Sequence, residues 1–85
     1  MIFKEIEIKN AGGIGRIEAQ TIVRRAGRFS AEIFFDFRTK KINAKSVMGI
    51  IAMGLRRGDK MLVVIKGDDE DDALTDIEKL FLREL

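Results

Sequence analysis

Hydrophobic residues recur at every second position in three separate runs of this chain, and no other feature of the sequence constrains the fold as much. The runs cover residues 2–9, 32–38 and 60–66. A period of two places alternate side chains on opposite faces, so each run predicts a strand with one buried face. The side chains predicted to face inward are Ile2, Ile6, Ile8, Ile33, Phe35, Phe37, Met61, Val63 and Ile65. A chain with three such strands must form a sheet and cover one of its faces.

Helical spacing of hydrophobic residues fills two of the remaining segments. The first predicted helix runs from Arg16 to about Gly27, which is a natural C-cap, and it turns either Ile17 or Ala19 inward. The last predicted helix covers residues 69–84. The other inward positions on these helices are Ile22, Val23, Ala26, Ala73, Leu74, Ile77, Leu80 and Phe81.

Two shorter elements complete the pattern. Thr39-Lys40 predicts a tight turn into a return strand over Lys41–Ala44, with Ile42 inward. Ser46 and Gly54 bracket a helix of about two turns. The order βαββαβα predicts an α+β open-faced sandwich in which three helices cover one face of a four-stranded, mostly antiparallel sheet.

The composition excludes several kinds of chemistry. The chain has 85 residues, enough for a single domain, and contains no cysteine and no histidine. It can therefore form neither disulfides nor thiolate metal sites, and it lacks the commonest general base and zinc ligand. No apolar stretch approaches the roughly 18 residues of a membrane-spanning helix. We expect one cytoplasmic domain over residues 1–85 that uses no cofactor or metal.

Charge is distributed unevenly along the chain. Residues 1–66 hold 14 Lys and Arg against 6 Asp and Glu, a net +8, whereas residues 67–85 hold 2 against 8, a net −6. The acidic cluster at 68–72 falls on the first turn of the last predicted helix, where negative charge stabilises the positive end of the helix dipole. The basic residues on or just after the first helix are Arg16, Arg24, Arg25 and Arg28. Such a cluster is typical of a solvated helix face or, alternatively, of a small basic nucleic-acid-binding module.

Ser46 is the most informative single residue. As an N-cap, its hydroxyl is expected to accept the backbone N–H of residue 48 or 49. The helix that it begins carries more hydrophobic surface than two turns can bury on one side. Val47, Met48 and Ile51 contribute to that surface, which core packing and a docking patch explain about equally well. A phosphate on Ser46 would meet free N–H groups and add roughly −2 charge beside this surface.

Two segments resemble the HPr family, whose members carry phosphate on a histidine in the bacterial sugar phosphotransferase system. The more specific is Asn43-Ala44-Lys45-Ser46-Val47-Met48-Gly49-Ile50, and the other runs from Gly67 to Leu74. The resemblance covers essentially the whole chain. It implies the same βαββαβα sandwich and a non-enzymatic protein that acts by binding other proteins.

The sequence departs from this family at the residues that carry its chemistry. The family motif is Gly-hydrophobic-His-x-Arg-Pro-Ala, and here the segment begins at Gly13 and ends at Ala19. Gly15 takes the place of the histidine, Ile17 that of the arginine and Glu18 that of the proline. Glycine has no atom that can form a phosphoramidate, so the resemblance implies a protein that cannot transfer phosphate through histidine.

The remaining features are similar to the Crh type within this family, which also lacks the histidine and keeps the serine. That resemblance implies phosphorylation of Ser46 by an HPr kinase/phosphorylase and binding to a LacI-type catabolite control repressor. The implied docking surface consists of Val47, Met48 and Ile51, with Arg24 and Arg28 on the facing helix. Arg16, one residue from the motif arginine, is a further candidate for partner binding. Exposed edge strands also make a strand-exchanged homodimer conceivable.

Overall fold

The computed structural model describes residues 1–85 and confirms the predicted order of elements. The strands are β1 (Ile2–Glu7), β2 (Glu32–Phe37), β3 (Lys40–Asn43) and β4 (Lys60–Lys66). The helices are α1 (Arg16–Ala26), α2 (Val47–Met53) and α3 (Glu70–Lys79). None of these helices combines the length and the apolar character that crossing a membrane requires.

The four strands form one sheet in the order β1-β4-β2-β3, and every neighbouring pair is antiparallel. The last strand in the chain, β4, therefore lies between β1 and β2. Val63 of β4 is opposite Lys4 on one side and Phe35 on the other. The fold is the predicted four-stranded α+β sandwich.

A single hydrophobic core fills the space between the sheet and the helices. Ile33, Phe35, Val63 and Ile65 of the central strands are fully buried. Between the alternatives for the start of α1, the structure places Ala19 in the core and leaves Ile17 75 % exposed. The other predicted core residues on the helices that are fully or almost fully buried are Ile22, Ala26, Ala73, Ile77, Leu80 and Phe81.

The β2–β3 hairpin turns one residue earlier than the sequence predicts. Phe37 is opposite Lys40, so the turn consists of Arg38 and Thr39, and β3 begins at Lys40. Arg38 adopts a left-handed backbone with φ 57°, which tight two-residue hairpins require. Its guanidinium lies 4.9 Å from the centre of the Phe37 ring, and this cation–π contact favours the conformation.

The predicted C-terminal helix over 69–84 changes its geometry before its end. Regular α3 stops at Lys79, and Leu80–Glu84 form a π-helical turn. In this wider turn Leu80 and Phe81 are both buried although they are consecutive. Phe81 packs edge-on against Phe35 with ring centres 5.9 Å apart.

The acidic residue that begins α3 connects distant parts of the chain. The two carboxylate oxygens of Asp69 accept the backbone N–H groups of Ser30 and Ala31, each at 2.9 Å. These hydrogen bonds, the one from Ser30 above all, lower the pKa of Asp69. Asp69 thus attaches the start of α3 to the loop between α1 and β2, in addition to the predicted stabilisation of the dipole by Glu70, Asp71 and Asp72.

Candidate functional site

Ser46 begins α2 in the geometry predicted for an N-cap. Its backbone is extended, with φ −113° and ψ 111°, and its Oγ accepts the N–H of Gly49 at 3.1 Å. A side chain at position 49 would bring a Cβ within 3.1 Å of that Oγ, so glycine allows the close approach. The segment before it is also ordered, because Asn43 accepts the N–H of Lys45 through its Oδ1 and that of Ser46 through its carbonyl. The hydroxyl is therefore held at the positive end of a short helix by local bonds.

The hydrophobic surface of α2 divides between the core and solvent. Ile50 and Met53 are buried, Val47 and Ile51 are half-buried, and Met48 is 76 % exposed. Core packing thus accounts for part of the hydrophobic surface but not for Met48. The helix ends at Gly54, which has a left-handed backbone with φ 63°.

Gly13 and Gly15 have different roles in the loop before α1. Gly13 has φ +68°, and a Cβ there would lie 2.6 Å from the carbonyl oxygen of Leu55, so this position requires glycine. The next residue, Ile14, is buried and donates its N–H to the same carbonyl at 3.0 Å. Gly15 has an ordinary φ of −101°, and a Cβ at this position would have only Glu18 Oε1 nearby, at 3.4 Å. Space for a side chain therefore exists at the position where the family motif has histidine.

A carboxylate occupies the N-terminus of α1 beside that position. Glu18 Oε1 accepts the backbone N–H of Gly15 at 2.9 Å, as the third residue of a helix does in a capping box. Negative charge is stabilised there by the helix dipole. An incoming phosphoryl group would have to displace this carboxylate and would be repelled by it.

The arginines proposed for partner binding lie apart from one another. Arg16 and Arg28 are exposed, at the start of α1 and just beyond its end, and exposed Arg24 contacts only Thr21 of its own helix, at 3.4 Å. Roughly 12 Å of helix rise separates Arg16 from Arg24. α1 packs against α2, so both helices present these residues in one layer. Arg16 therefore lies too far along the helix from Arg24 for both to bind one anion.

Arg25 does not belong to the free basic surface, contrary to the cluster that suggested a nucleic-acid-binding module. Its guanidinium donates to both carboxylate oxygens of Asp76, at 2.9 and 2.5 Å, and to Glu84 at 2.5 Å. Only 13 % of its side chain is exposed. The hydrogen bond from Arg25 is the main reason that the pKa of Asp76 and that of Glu84 lie below their usual values. Arg16, Arg24 and Arg28 remain as the basic residues of this helix face.

Ile17 is part of the exposed surface, although the sequence predicted either Ile17 or Ala19 as a core residue. With 75 % exposure it is, together with Met48, one of the two large hydrophobic residues that the helices α1 and α2 leave most accessible. The family motif indicated that position 17 is exposed, because Ile17 stands where the motif has an arginine, a residue type that is rarely buried. Solvent exposure of two large hydrophobic residues on one helical layer favours a contact surface.

The βαββαβα sandwich and the serine that caps its second helix together indicate a small HPr-like domain. The family model described as "PTS HPr component phosphorylation site" matches residues 2–82. The chain belongs to the HPr family, which includes the phosphocarrier protein HPr of the phosphotransferase system and the HPr-like protein Crh.

Both branches of the family occur among its relatives. The phosphocarrier protein HPr of Treponema pallidum is 38 % identical over 81 residues, which cover 95 % of this chain and 92 % of that protein. The HPr-like protein Crh of Halalkalibacterium halodurans is 35 % identical over 74 residues, covering 87 % of this chain and 88 % of that protein. The sequence identities to HPr and to Crh are similar, and both support membership of the family.

Solved structures agree with the fold. HPr-C-His from Thermoanaerobacter tengcongensis superimposes with a TM-score of 0.91 at 37 % identity, over 95 % of this chain and 91 % of that one. Crh of Bacillus subtilis gives a TM-score of 0.78 at 28 % identity, over 100 % and 98 % of the two chains. That Crh structure is described as a dimer with a swapped domain.

Proposed function

We propose that this chain is a regulatory HPr-family protein that is switched by phosphorylation of Ser46 and acts by binding other proteins. The observation that carries the proposal is the Oγ of Ser46, held 3.1 Å from the Gly49 N at the start of α2 beside the exposed Met48. A phosphate on this oxygen would face free backbone N–H groups at a positive helix end. The fold can accept the modification because the new charge is stabilised where it forms.

The docking surface in this proposal combines hydrophobic and basic residues. Met48 and Ile17 are exposed, and Val47 and Ile51 are half-buried on the same helix as Met48. Exposed Arg24 and Arg28 lie in the same helical layer. A partner with a hydrophobic contact area and acidic residues at its rim would complement this surface, and phosphorylation would change its charge. By resemblance to Crh, the partners are an HPr kinase/phosphorylase and a LacI-type repressor.

Transfer of phosphate through histidine is not part of the proposed function. The chain contains no histidine, and Gly15 stands at the acceptor position. The carboxylate of Glu18 lies where the phosphoryl group would be received. Both the acceptor atom and the favourable charge at the helix terminus are therefore missing.

Incubation with an HPr kinase and ATP, followed by mass spectrometry, tests the switch. We expect one added phosphate on the wild-type chain and none on Ser46→Ala. The matched control is Ser30→Ala, which removes an exposed serine in another loop and should leave phosphorylation unchanged. An unmodified wild-type chain, or equal modification of Ser46→Ala, contradicts the proposal.

Labelling from phosphoenolpyruvate through enzyme I tests the loss of phosphotransfer. We expect no acid-labile phosphate on the wild-type chain. Gly15→His should fold, because only Glu18 Oε1 lies within 4 Å of the new Cβ, and should be labelled poorly. Adding Glu18→Gln should increase the labelling of Gly15→His, because it removes the negative charge from the helix terminus. Labelling of the wild-type chain would overturn this part of the proposal.

A further inference from the structure

The face of the sheet opposite the helices is open and carries a hydrophobic patch that the proposed function does not use. Phe3 on β1 is 66 % exposed and Leu62 on β4 is 36 % exposed, while Val64 and Phe34 are half-buried. The register places Phe3, Val64 and Phe34 in one row across β1, β4 and β2. We call Phe3, Phe34, Leu62 and Val64 the open-face patch.

Charged residues around the open-face patch alternate in sign from strand to strand. The period of two along each strand identifies the charged side chains that lie on the same face as the open-face patch. They are Glu5 and Glu7 on β1, Lys60 and Lys66 on β4, Glu32 and Asp36 on β2, and Lys41 on β3. In the order β1-β4-β2-β3 the strands are thus negative, positive, negative and positive.

This charge pattern disfavours a nucleic acid as the partner of the open face. Four carboxylates and three lysines surround the patch, so its net charge is 3 − 4 = −1. Phosphate backbones bind where positive charge dominates. One of the lysines, Lys41, places its Nζ over the Phe34 ring, 5.0 Å from the centre, and has to move aside before any partner reaches that ring. A hydrophobic centre with charges of both signs at its rim is typical of a protein–protein interface.

We propose that the open face binds the open face of a second copy of this chain, about a two-fold axis that runs parallel to the strands between β4 and β2. This operation places β1 over β3 of the second copy and β4 over β2. Glu5 then meets Lys41 of the second copy, and Lys66 meets Glu32 of the second copy. Val64 meets Phe34 in the hydrophobic centre. Each contact occurs twice, as in any isologous dimer.

The alternation of sign selects this arrangement among the face-to-face dimers. An axis perpendicular to the strands would place each strand over its own copy, acid on acid and lysine on lysine. An axis along β4 would place β1 over β2, and both strands are acidic. An axis along β2 would place β4 over β3, and both are basic. Like charges in contact oppose association, so only the axis between β4 and β2 pairs every strand with one of opposite sign.

The open face is small, and the dimer is accordingly expected to be weak. Four strands of this length offer a face of roughly 15–20 Å in each direction. Two such faces bury less than the roughly 1,000 Å² of total surface that a stable interface needs, as in weak, transient encounters. We expect monomers at micromolar and dimers at high micromolar to millimolar concentration, measured by sedimentation velocity.

Charge reversal at Glu5 and Lys41 tests the interface directly. These residues lie on the two edge strands, about 14 Å apart in one molecule, so they cannot pair within a chain. Glu5→Lys and Lys41→Glu should each weaken dimerisation about tenfold, because each replaces two attractive contacts by two repulsive ones. A 1:1 mixture of the two variants should associate as strongly as the wild type, since the heterodimer contains one native pair and one pair with exchanged signs, both attractive.

The controls are two charge reversals elsewhere on the surface. Asp71→Lys on α3 and Arg57→Glu in the loop before β4 change exposed residues outside the open face and should leave dimerisation unchanged. Circular dichroism on each variant verifies that it is folded. A wild-type chain that stays monomeric at millimolar concentration overturns the proposal. A dimer that neither reversal weakens also overturns it, and this is the result expected for strand exchange. A mixture of the two variants that fails to restore association overturns it as well.

Discussion

Gly13 and Gly15 show how differently two glycines in one loop can be constrained. Gly13 is required by its positive φ and by the approach of the Leu55 carbonyl, whereas Gly15 has an ordinary backbone and nearly free space around it. The glycine at the family's acceptor position is therefore not imposed by the backbone. Its effect is chemical, because it leaves that position without a nucleophilic atom.

Alanine substitutions at the two glycines should separate these roles. Gly13→Ala is expected to lose about 2 kcal/mol or more, because a left-handed backbone and a contact with Leu55 both become unfavourable. Gly15→Ala should change the free energy of unfolding by less than about 1 kcal/mol. Urea unfolding of both variants measures this difference. Equal stability of the two variants would contradict the assignment of Gly13 as the constrained glycine.

Ser46 has a structural role that must be separated from its proposed regulatory one. Ser46→Ala should destabilise the chain by about 1 kcal/mol through loss of the N-cap bond to Gly49. Ser46→Asp should retain most of the stability, because aspartate is also a favourable N-cap. Thermal unfolding compares the three chains. If Ser46→Asp were much less stable than Ser46→Ala, a negative charge at this helix end would be unfavourable and the switch would lose its physical basis.

At the scale of elements, Arg25 is the main polar link between α1 and the C-terminal segment. Asp76 supplies its bonds from α3, and Glu84 supplies its bond from the π-helical turn. The hydrophobic counterpart is the contact of Phe81 with Phe35 on β2. The end of the chain is therefore held against both α1 and the sheet.

This link predicts a pH dependence of stability. Arg25 holds the pKa of Asp76 below its unfolded value, so the folded state favours the carboxylate. The resulting stabilisation is complete above the unfolded pKa of about 4 and is lost as the pH falls through the lower folded pKa. Asp76→Asn should cost about 1–2 kcal/mol at neutral pH and little at the acid end.

Urea unfolding between neutral pH and the acid limit measures that dependence. Glu5→Gln is the control, because Glu5 is an exposed carboxylate on β1 that forms no ion pair and takes no part in the dipole of α3. Parallel stability curves for the wild type and Asp76→Asn would show that the Arg25 link does not contribute as argued.

At the scale of the whole molecule, the ion pairs join the acidic end of the chain to its basic beginning. All four bring an acidic residue between positions 70 and 84 to a cation within the first 25 residues. They connect Met1 with Glu70, Lys4 with Glu78, and Arg25 with Asp76 and Glu84. The opposite net charges of the two parts of the sequence are thus brought into contact by the fold.

This arrangement predicts that sodium chloride weakens the folded state. Salt screens attraction between exposed charges, so the free energy of unfolding in urea should fall modestly as sodium chloride is added. Asp76→Asn should show a smaller fall, because its best-formed ion pair is already lost. A free energy of unfolding that rises with salt in both chains would indicate that repulsion among the basic residues outweighs these pairs.

Local patterns predicted the elements well and their long-range contacts poorly. The period of two in β2 and β4 identified Ile33, Phe35, Val63 and Ile65 as core residues, since burial follows directly from the face of a strand. The sequence prediction did not separate Ile17 from Ala19, although the two lie about 200° apart around the helix and only Ala19 has the helical spacing to Ile22 and Ala26. The ion pair of Arg25 was missed, because its partners lie 51 and 59 positions away.

The sequence by itself determined the order of strands and helices, the cap at Ser46 and the absence of an acceptor atom at Gly15. Each of these depends on side-chain chemistry and on neighbours within a few residues. Only the tertiary structure decided that β4 lies between β1 and β2, and hence that charges on the open face alternate in sign. The physical reason is that strand order follows from burying hydrophobic surface shared by distant segments, which no local pattern specifies.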